Sequence, residues 1–112
     1  YREAGAHMLL YPGCFNLTTG PAHWELLQRG RAVDNQCFVA AISQARGPGP
    51  GYQAYGYSMV TSPWGKLLAG TDEGVGIVYA EVDLAECGPF RAQVPISFQK
   101  RFDLYSSAAW KQ

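Results

Sequence analysis

The chain has little charge, few cysteines and no long apolar run, and each scarcity excludes a class of protein. Charged residues make up 16 % of the 112 residues and aromatic residues 13 %. A disordered segment would have more charge and fewer aromatic rings. Nine basic and nine acidic side chains cancel, and no basic stripe is present for a phosphate backbone. We therefore expect no nucleic acid partner.

The apolar stretches are short and the cysteines are sparse. Runs such as residues 8–10 are far too short to cross a bilayer, so we expect no membrane partner. Cys14, Cys37 and Cys87 are an odd number without a CxxC pair, which does not indicate a disulfide framework. Free thiols are typical of a reducing compartment, and we expect the protein in the cytoplasm. The first residue is Tyr1 rather than Met, and we expect the natural N-terminus to lie upstream of it.

The local signals predict one α/β unit in which strands and helices alternate. The predicted elements are a helix end over 1–6, a strand over 7–11, a helix over 21–35, strands over 37–42, 55–61, 66–69 and 77–82, and helical segments over 83–87, 90–94 and 98–102. Pro63 followed by Gly65 predicts the turn of a hairpin. Gly88-Pro89 is expected to interrupt the last helical region.

The predicted helix over residues 21–35 has an apolar stripe at helical spacing, formed by Ala22, Leu26, Gly30 and Val33. Gly30 weakens a helix by roughly 1 kcal/mol relative to alanine, which predicts that a neighbour approaches this face closely. Arg31 and Asp34 are three residues apart, a spacing at which an ion pair can form.

The residues by themselves offer few chemical groups at catalytic spacing. Cys14, at a predicted strand end, and His23 are the candidate nucleophile and base, but a plain structural thiol is the favoured interpretation. His7 and His23 lack metal-ligand spacing, so we expect no metal. Glu81 and Asp83 share one face of a predicted strand, as an acid/base pair would, and as any solvated strand end does.

Several stretches, in the right order and over nearly the whole chain, resemble the nitrilase superfamily of carbon–nitrogen hydrolases, and within it the omega-amidases. The run Thr18-Thr19-Gly20-Pro21-Ala22-His23-Trp24 is the most specific of them. The others are Leu10 to Leu17, Glu25 to Gln36, Gly56-Tyr57-Ser58, Pro63-Trp64-Gly65-Lys66, Arg91 to Pro95, and Lys100 to Tyr105. Tyr57 stands where the family usually has histidine.

The resemblance implies that residues 1–112 are the C-terminal half of a nitrilase-type α–β–β–α sandwich, a partial carbon–nitrogen hydrolase domain. It implies a homodimer, a small-molecule amide substrate, and no metal or organic cofactor. It also implies a glutamate–lysine–cysteine triad that lies upstream of Tyr1, so no catalytic residue is expected in this chain. Cys14 falls where the family usually carries a small residue such as alanine, which argues against it as the nucleophile.

What the resemblance assigns to this chain is the wall of a substrate pocket. Phe15 follows the first strand and is expected to pack against the substrate. Thr18 and Thr19 are expected to donate hydrogen bonds to a substrate carboxylate or amide. Asparagine and threonine also stabilise turns, so a purely structural role for this loop is the alternative.

Three hypotheses for function follow. In the first, the full-length protein is an amidase that hydrolyses the terminal amide of dicarboxylic acid monoamides such as 2-oxoglutaramate, and this chain alone is inactive. In the second, the short chain is a pseudoenzyme that regulates a full-length subunit by dimerising with it. In the third, the protein is a related amidase of different specificity, such as a carbamoyl-amine hydrolase. In any of them the strand over residues 7–11 has lost a neighbour, and an open apolar edge predicts self-association.

Overall fold

A computed structural model describes residues 1–101 together with Asp103 and Leu104. The elements are β1 Met8–Pro12, α1 Thr19–Asn35, β2 Phe38–Ile42, β3 Met59–Thr61, β4 Leu67–Gly70, a 3-10 turn Leu84–Glu86, α2 Cys87–Gln93 and α3 Ile96–Gln99. The strands form one sheet in the order β1-β2-β3-β4, with β1 and β2 parallel and the other pairs antiparallel. Over the described residues, no helix is both long and apolar enough to span a bilayer.

The first half of the chain is a β–α–β unit, as the local signals predict. β1 and β2 pair in parallel with Met8 opposite Phe38, and α1 connects them. The helix ends at Gln36, which takes a left-handed conformation while the backbone N–H groups of Gln36 and Cys37 donate to Val33 and Ala32. This is the hydrogen-bond pattern with which helices commonly end, although glycine usually holds the left-handed position.

The same pattern occurs at the start of the chain. Gly5 has φ of 92° and donates to the carbonyl of Arg2, and Ala6 donates to the carbonyl of Tyr1. Residues 1–6 therefore form a turn with the geometry of a helix C-terminus, which agrees with the predicted helix end.

The buried face of α1 is not the predicted apolar stripe. Its buried residues are Gly20, Trp24, Gln28 and Ala32. Trp24 packs against Ala41 and Met59 of the sheet. The predicted apolar stripe therefore faces outward, and Leu26, which belongs to it, is 67 % exposed. The large indole ring, rather than the number of aliphatic residues, decides which face is buried.

The hairpin over residues 55–69 is confirmed, but its first strand is shorter than predicted. β3 begins at Met59 instead of residue 55, because Gly56 and Tyr57 both have positive φ and no strand can continue through them. At the turn, the Gly65 N–H donates to the Ser62 carbonyl, and Gly65 has φ of 74°.

Two predictions in the C-terminal third were wrong. Residues 77–82 do not form a strand, because no strand among the described residues pairs with them, and Ile77 and Tyr79 are 82 % and 85 % exposed. Gly88-Pro89 does not interrupt the helix, because both lie in the first turn of α2, where a backbone N–H has no partner within the helix. The last helical segment, α3, lies earlier than the predicted 98–102, and residue 102 falls outside the described residues.

The two faces of the sheet differ. Because Ala41 and Met59 face α1, the residues that alternate with them point the other way. On that second face Phe38 is buried, whereas Leu10 is 65 % exposed and Ile42 is also exposed. The part of this face near the carboxyl ends of β1 and β2 is therefore an uncovered apolar surface.

Candidate functional site

The carboxyl ends of β1 and β2 lie at one edge of the sheet. Antiparallel pairing brings the start of β3 and the end of β4 to the same edge, where Ala41 pairs with Met59 and Met59 with Gly70. In open α/β sheets, ligands bind in the crevice outside the carboxyl ends of the strands. The loops over residues 13–18 and 43–58 therefore form the candidate site.

Phe15 is held firmly at this edge. Its backbone carbonyl accepts a 2.7 Å hydrogen bond from the Tyr55 N–H, which ties the two loops together. Its ring packs edge-on against Trp24, with ring centroids 5.1 Å apart. Because the ring is only partly buried, Phe15 has the position of a residue that lines a pocket wall.

Asn16 stabilises the turn that leads into α1. Its side-chain Oδ1 accepts hydrogen bonds from the backbone N–H groups of Thr18 and Thr19, at 2.9 and 2.8 Å, and from the Thr19 hydroxyl at 3.0 Å. These hydrogen bonds form a turn stabilised by an asparagine side chain, and α1 begins directly after it at Thr19. Thr19 thus has a structural role, while Thr18 is exposed beside Phe15, and substrate contact by either threonine stays a prediction.

Cys14 lies at the same edge, and among the described residues no basic side chain forms a hydrogen bond with it. The thiol residue is exposed, and its backbone carbonyl accepts a 3.4 Å hydrogen bond from the Tyr52 hydroxyl. Desolvation, and then the neighbouring Cys14, raise the pKa of Tyr52. His23 is exposed on α1, and in the described part of the chain no hydrogen bond joins it to Cys14. Cys14 and His23 are therefore not arranged as a nucleophile and its base.

The second loop contains a strained residue. Gly56 and Tyr57 have φ of 84° and 58°, and a Cβ on Gly56 would lie 2.7 Å from the Cα of Glu73. A bulky residue in this region costs about 1–3 kcal/mol and persists only where its surroundings require it. Here the Tyr57 backbone carbonyl accepts a 2.7 Å hydrogen bond from the Trp24 indole N–H. The Tyr57 hydroxyl donates to the Glu73 carboxylate at 3.0 Å.

Arg46 completes this network. Its guanidinium donates to the carbonyls of Ala54 and Tyr55 at 3.1 and 3.2 Å and lies 3.9 Å from the Glu73 carboxylate. A backbone hydrogen bond at Glu73 and the Tyr57 hydroxyl lower the pKa of Glu73, and the same carboxylate raises the pKa of Tyr57. Sequence reasoning missed this network, and the adjacent Gly56-Tyr57 pair was the only signal for it.

The remaining candidates lie elsewhere. Cys37 and Cys87 are buried, and their thiols donate to the carbonyls of Ala6 and His7 at the start of β1, the opposite end of the sheet. Burial raises the pKa of Cys87. Asp83 caps the 3-10 turn by accepting from the Ala85 N–H, so it does not form a strand-borne pair with Glu81.

Comparison of the sequence with known protein families identifies a carbon–nitrogen hydrolase domain. A family profile described as Carbon-nitrogen hydrolase matches residues 1–92. Among curated proteins, the chain is 57 % identical to omega-amidase NIT2 of Bos taurus over 99 % of this chain and 40 % of that protein. It is 58 % identical to nitrilase homolog 2 of Dictyostelium discoideum over 94 % of this chain and 32 % of that protein. The chain therefore spans about a third to two fifths of the length of these relatives.

Solved structures of similar proteins also match the fold of this chain. The fold matches the C. elegans NitFhit protein with a TM-score of 0.88 and 44 % identity, over 94 % of this chain and 26 % of that one. It matches Nit3 of Saccharomyces cerevisiae with a TM-score of 0.84 and 48 % identity, over 90 % of this chain and 37 % of that one.

Proposed function

The chain belongs to the carbon–nitrogen hydrolase family, and from this premise we propose that the protein is an omega-amidase. The expected relationship to the nitrilase superfamily is confirmed, as is the α/β fold of that superfamily. The proposed substrates are dicarboxylic acid monoamides such as 2-oxoglutaramate, which the full-length enzyme converts to the acid and ammonia. The observation that carries the proposal is the 57 % identity to bovine omega-amidase NIT2 across 99 % of this chain.

The proposed chemistry is acyl transfer through a thioester. A cysteine thiolate attacks the amide carbonyl, a proton passes to the nitrogen, and ammonia leaves. Water then attacks the thioester, releases the acid and restores the thiol, while positive charge stabilises the oxyanion. The cysteine, glutamate and lysine of this mechanism are assigned upstream of Tyr1. This chain alone is therefore proposed to be inactive.

The role of this chain is to form part of the pocket. Phe15 is proposed to pack against the carbon chain of the substrate, because Trp24 and the Tyr55 backbone fix its ring at the carboxyl edge of the sheet. Thr18 is proposed to donate a hydrogen bond to a substrate oxygen from its exposed position. Thr19 is proposed to do the same when its hydroxyl turns from Asn16.

The uncovered sheet face supports a sandwich. Leu10 and Ile42 expose apolar surface on the face opposite α1, and β1 has a strand on one side only. A sheet of this kind is stable when a second layer covers that face. We assign this layer to a second sheet in the full-length protein, as in the α–β–β–α arrangement expected from the sequence.

The outer stripe of α1 supports a dimer. Leu26 and Val33 are exposed on this helix, Trp64 is exposed beside it, and a Cβ at Gly30 would meet no atom within 4 Å. Apolar surface next to a glycine allows two helices to approach closely, so we assign this face to a homodimer. The same face favours the second candidate function, in which the short chain binds a full-length subunit and regulates it.

Light scattering after size-exclusion chromatography tests the dimer. Leu26→Glu should lower the mass of the extended protein to that of a monomer, whereas Leu84→Glu, at an exposed position of the 3-10 turn, should not. A Leu26→Glu protein that remains dimeric contradicts the assignment.

Ammonia release from 2-oxoglutaramate tests the activity. The 112-residue chain should release none, and a version extended upstream to include the triad should be active. The extended Cys14→Ala variant should keep that activity, because Cys14 is not the nucleophile. Activity in the short chain would contradict the proposal. Faster turnover of carbamoyl amines by the extended protein would favour the related amidase instead.

The cytoplasm is the proposed compartment. Cys14, Cys37 and Cys87 are all free, and reduced thiols persist in a compartment that keeps glutathione reduced. Fractionation of cells that express the full-length protein tests this assignment.

A further inference from the structure

Arg31 is a residue of α1, and its guanidinium lies over the ring of Tyr11 in β1. Its guanidinium carbon is 5.0 Å from the centre of the Tyr11 ring, and its Nη1 atom is buried without a hydrogen-bond partner among the described residues. Arg29, two residues earlier, is different. It donates to the Glu25 carboxylate at 3.0 Å and to the Gly65 carbonyl at 2.8 Å. Arg31 is thus a cation whose buried Nη1 donor has no acceptor within the part of the chain that the structure describes.

Such a donor calls for an acceptor that the described residues do not supply. A buried polar group without a partner is unfavourable, and a buried charged group more so. Asp34 follows Arg31 by three residues, a spacing at which an ion pair can form on a helix. No ion pair joins the two side chains among residues 1–101. Three other acids of the described residues are paired with other cations: Glu25 with Arg29, Glu73 with Arg46 and Glu3 with Lys100.

The position of the guanidinium over the ring suits one class of ligand. The planar edge of a guanidinium matches the two oxygens of a carboxylate. One guanidinium balances one negative charge, which a carboxylate carries. Tyr11 is next to the last residue of β1, at the open side of the sheet and the same end as Phe15.

We propose that Arg31 and Tyr11 form a binding site for a single carboxylate. The carboxylate comes either from the free acid end of the substrate or from an Asp or Glu side chain elsewhere in the full-length protein. The site itself does not depend on the reaction that the enzyme performs. Only the choice of the substrate as the source rests on the proposed function.

Nuclear magnetic resonance of the arginine Nε–H groups tests the site in the 112-residue chain. Sodium acetate is the first probe, with sodium chloride at equal ionic strength as its control. Succinamate, a dicarboxylic acid monoamide, is the second probe. Arg31→Lys removes the planar fork but keeps the charge, and Arg29→Lys is the matched control on the same helix. Circular dichroism verifies that both variants fold.

Acetate should shift the Arg31 Nε–H signal saturably, and chloride should not. Arg31→Lys should weaken acetate binding, followed through the Tyr11 ring signals, by about tenfold, while Arg29→Lys leaves it unchanged. Tyr11→Leu should also weaken binding, and Tyr11→Phe should retain it because the ring remains. Succinamate binding about tenfold tighter than acetate identifies the substrate as the source, and equal binding identifies a protein side chain.

The proposal is overturned if acetate moves the Arg31 signal no more than chloride does. Acetate binding that survives Arg31→Lys unchanged would overturn it as well. Neither result bears on ammonia release by the extended protein, so failure of this site and failure of the proposed activity are distinguishable.

Discussion

The region around Trp24 and the stretch over residues 75–79 contain comparable apolar side chains but use them in opposite ways. Trp24 is buried against Ala41 and Met59, donates its indole N–H to Tyr57 and fixes the Phe15 ring. Ile77 and Tyr79 are almost fully exposed. The difference indicates which surfaces this chain completes by itself and which ones another layer of protein would have to cover.

Removing the indole should break the first region most severely. Trp24→Ala should lower the free energy of unfolding by about 3–5 kcal/mol, because it leaves a cavity and an unpaired Tyr57 carbonyl. Trp64→Ala is the control, since Trp64 is 59 % exposed and its ring packs on Phe90; it should lower the free energy of unfolding by about 1 kcal/mol. Urea unfolding followed by circular dichroism measures both. Equal losses would contradict the contrast.

Two glycines, Gly56 in the loop beside Trp24 and Gly30 on the outer face of α1, should respond to substitution in opposite directions. Gly56→Ala should lower the free energy of unfolding by about 1–3 kcal/mol, because of the positive φ and the contact with Glu73. Gly30→Ala, on the open face of α1, should raise it by up to about 1 kcal/mol. Urea midpoints measure both changes. A stabilising Gly56→Ala would mean that the left-handed turn is absent in solution.

The Tyr57–Glu73 contact should make the site region sensitive to acid. Because the pKa of Glu73 is lowered in the folded state, its contribution to stability is present above the unfolded pKa and is lost as pH falls through the folded pKa. The urea midpoint should therefore fall less between about pH 7 and about pH 3 in Glu73→Gln than in the unsubstituted chain. Glu25→Gln is the exposed control, and an identical fall in all three proteins would count against the contact.

Substitution in the exposed stretch should change stability least. Ile77→Lys should alter the free energy of unfolding by no more than about 0.5 kcal/mol, because the side chain contacts water. It should, however, reduce self-association of the isolated chain, as should Leu10→Lys at the open side of β1. Light scattering at rising concentration measures this. A monodisperse, stable monomer without any substitution would contradict the prediction of self-association.

Local sequence signals predicted those strands, helices and turns whose ends are determined by residues adjacent in the sequence. The short apolar run before Pro12, the helix with Trp24, and the Pro63–Gly65 turn were all found where they were expected. The strand expected over residues 77–82 was not found, because a strand exists only when another strand donates and accepts its hydrogen bonds. The prediction that Gly88-Pro89 interrupts the helix was wrong for a different reason, since a proline in the first turn of a helix is tolerated.

The candidate site was predicted only in outline. Phe15, Thr18 and Thr19 lie together at the carboxyl edge of the sheet as the family resemblance implied, but their contact with a substrate stays a prediction. The Arg46–Tyr57–Glu73 network joins residues 11 to 27 positions apart. No periodicity signals such a contact, because it depends on how two loops cross.

The sequence by itself determined the family and the β–α–β order, because these follow from residue identity and short-range spacing. The tertiary structure decided which face of α1 is buried, that Tyr57 is held in a left-handed conformation, and that Arg31 lies over Tyr11 instead of pairing with Asp34. These outcomes depend on the packing of one ring and on hydrogen bonds between distant residues, whose energies are set only when the sheet and α1 come together.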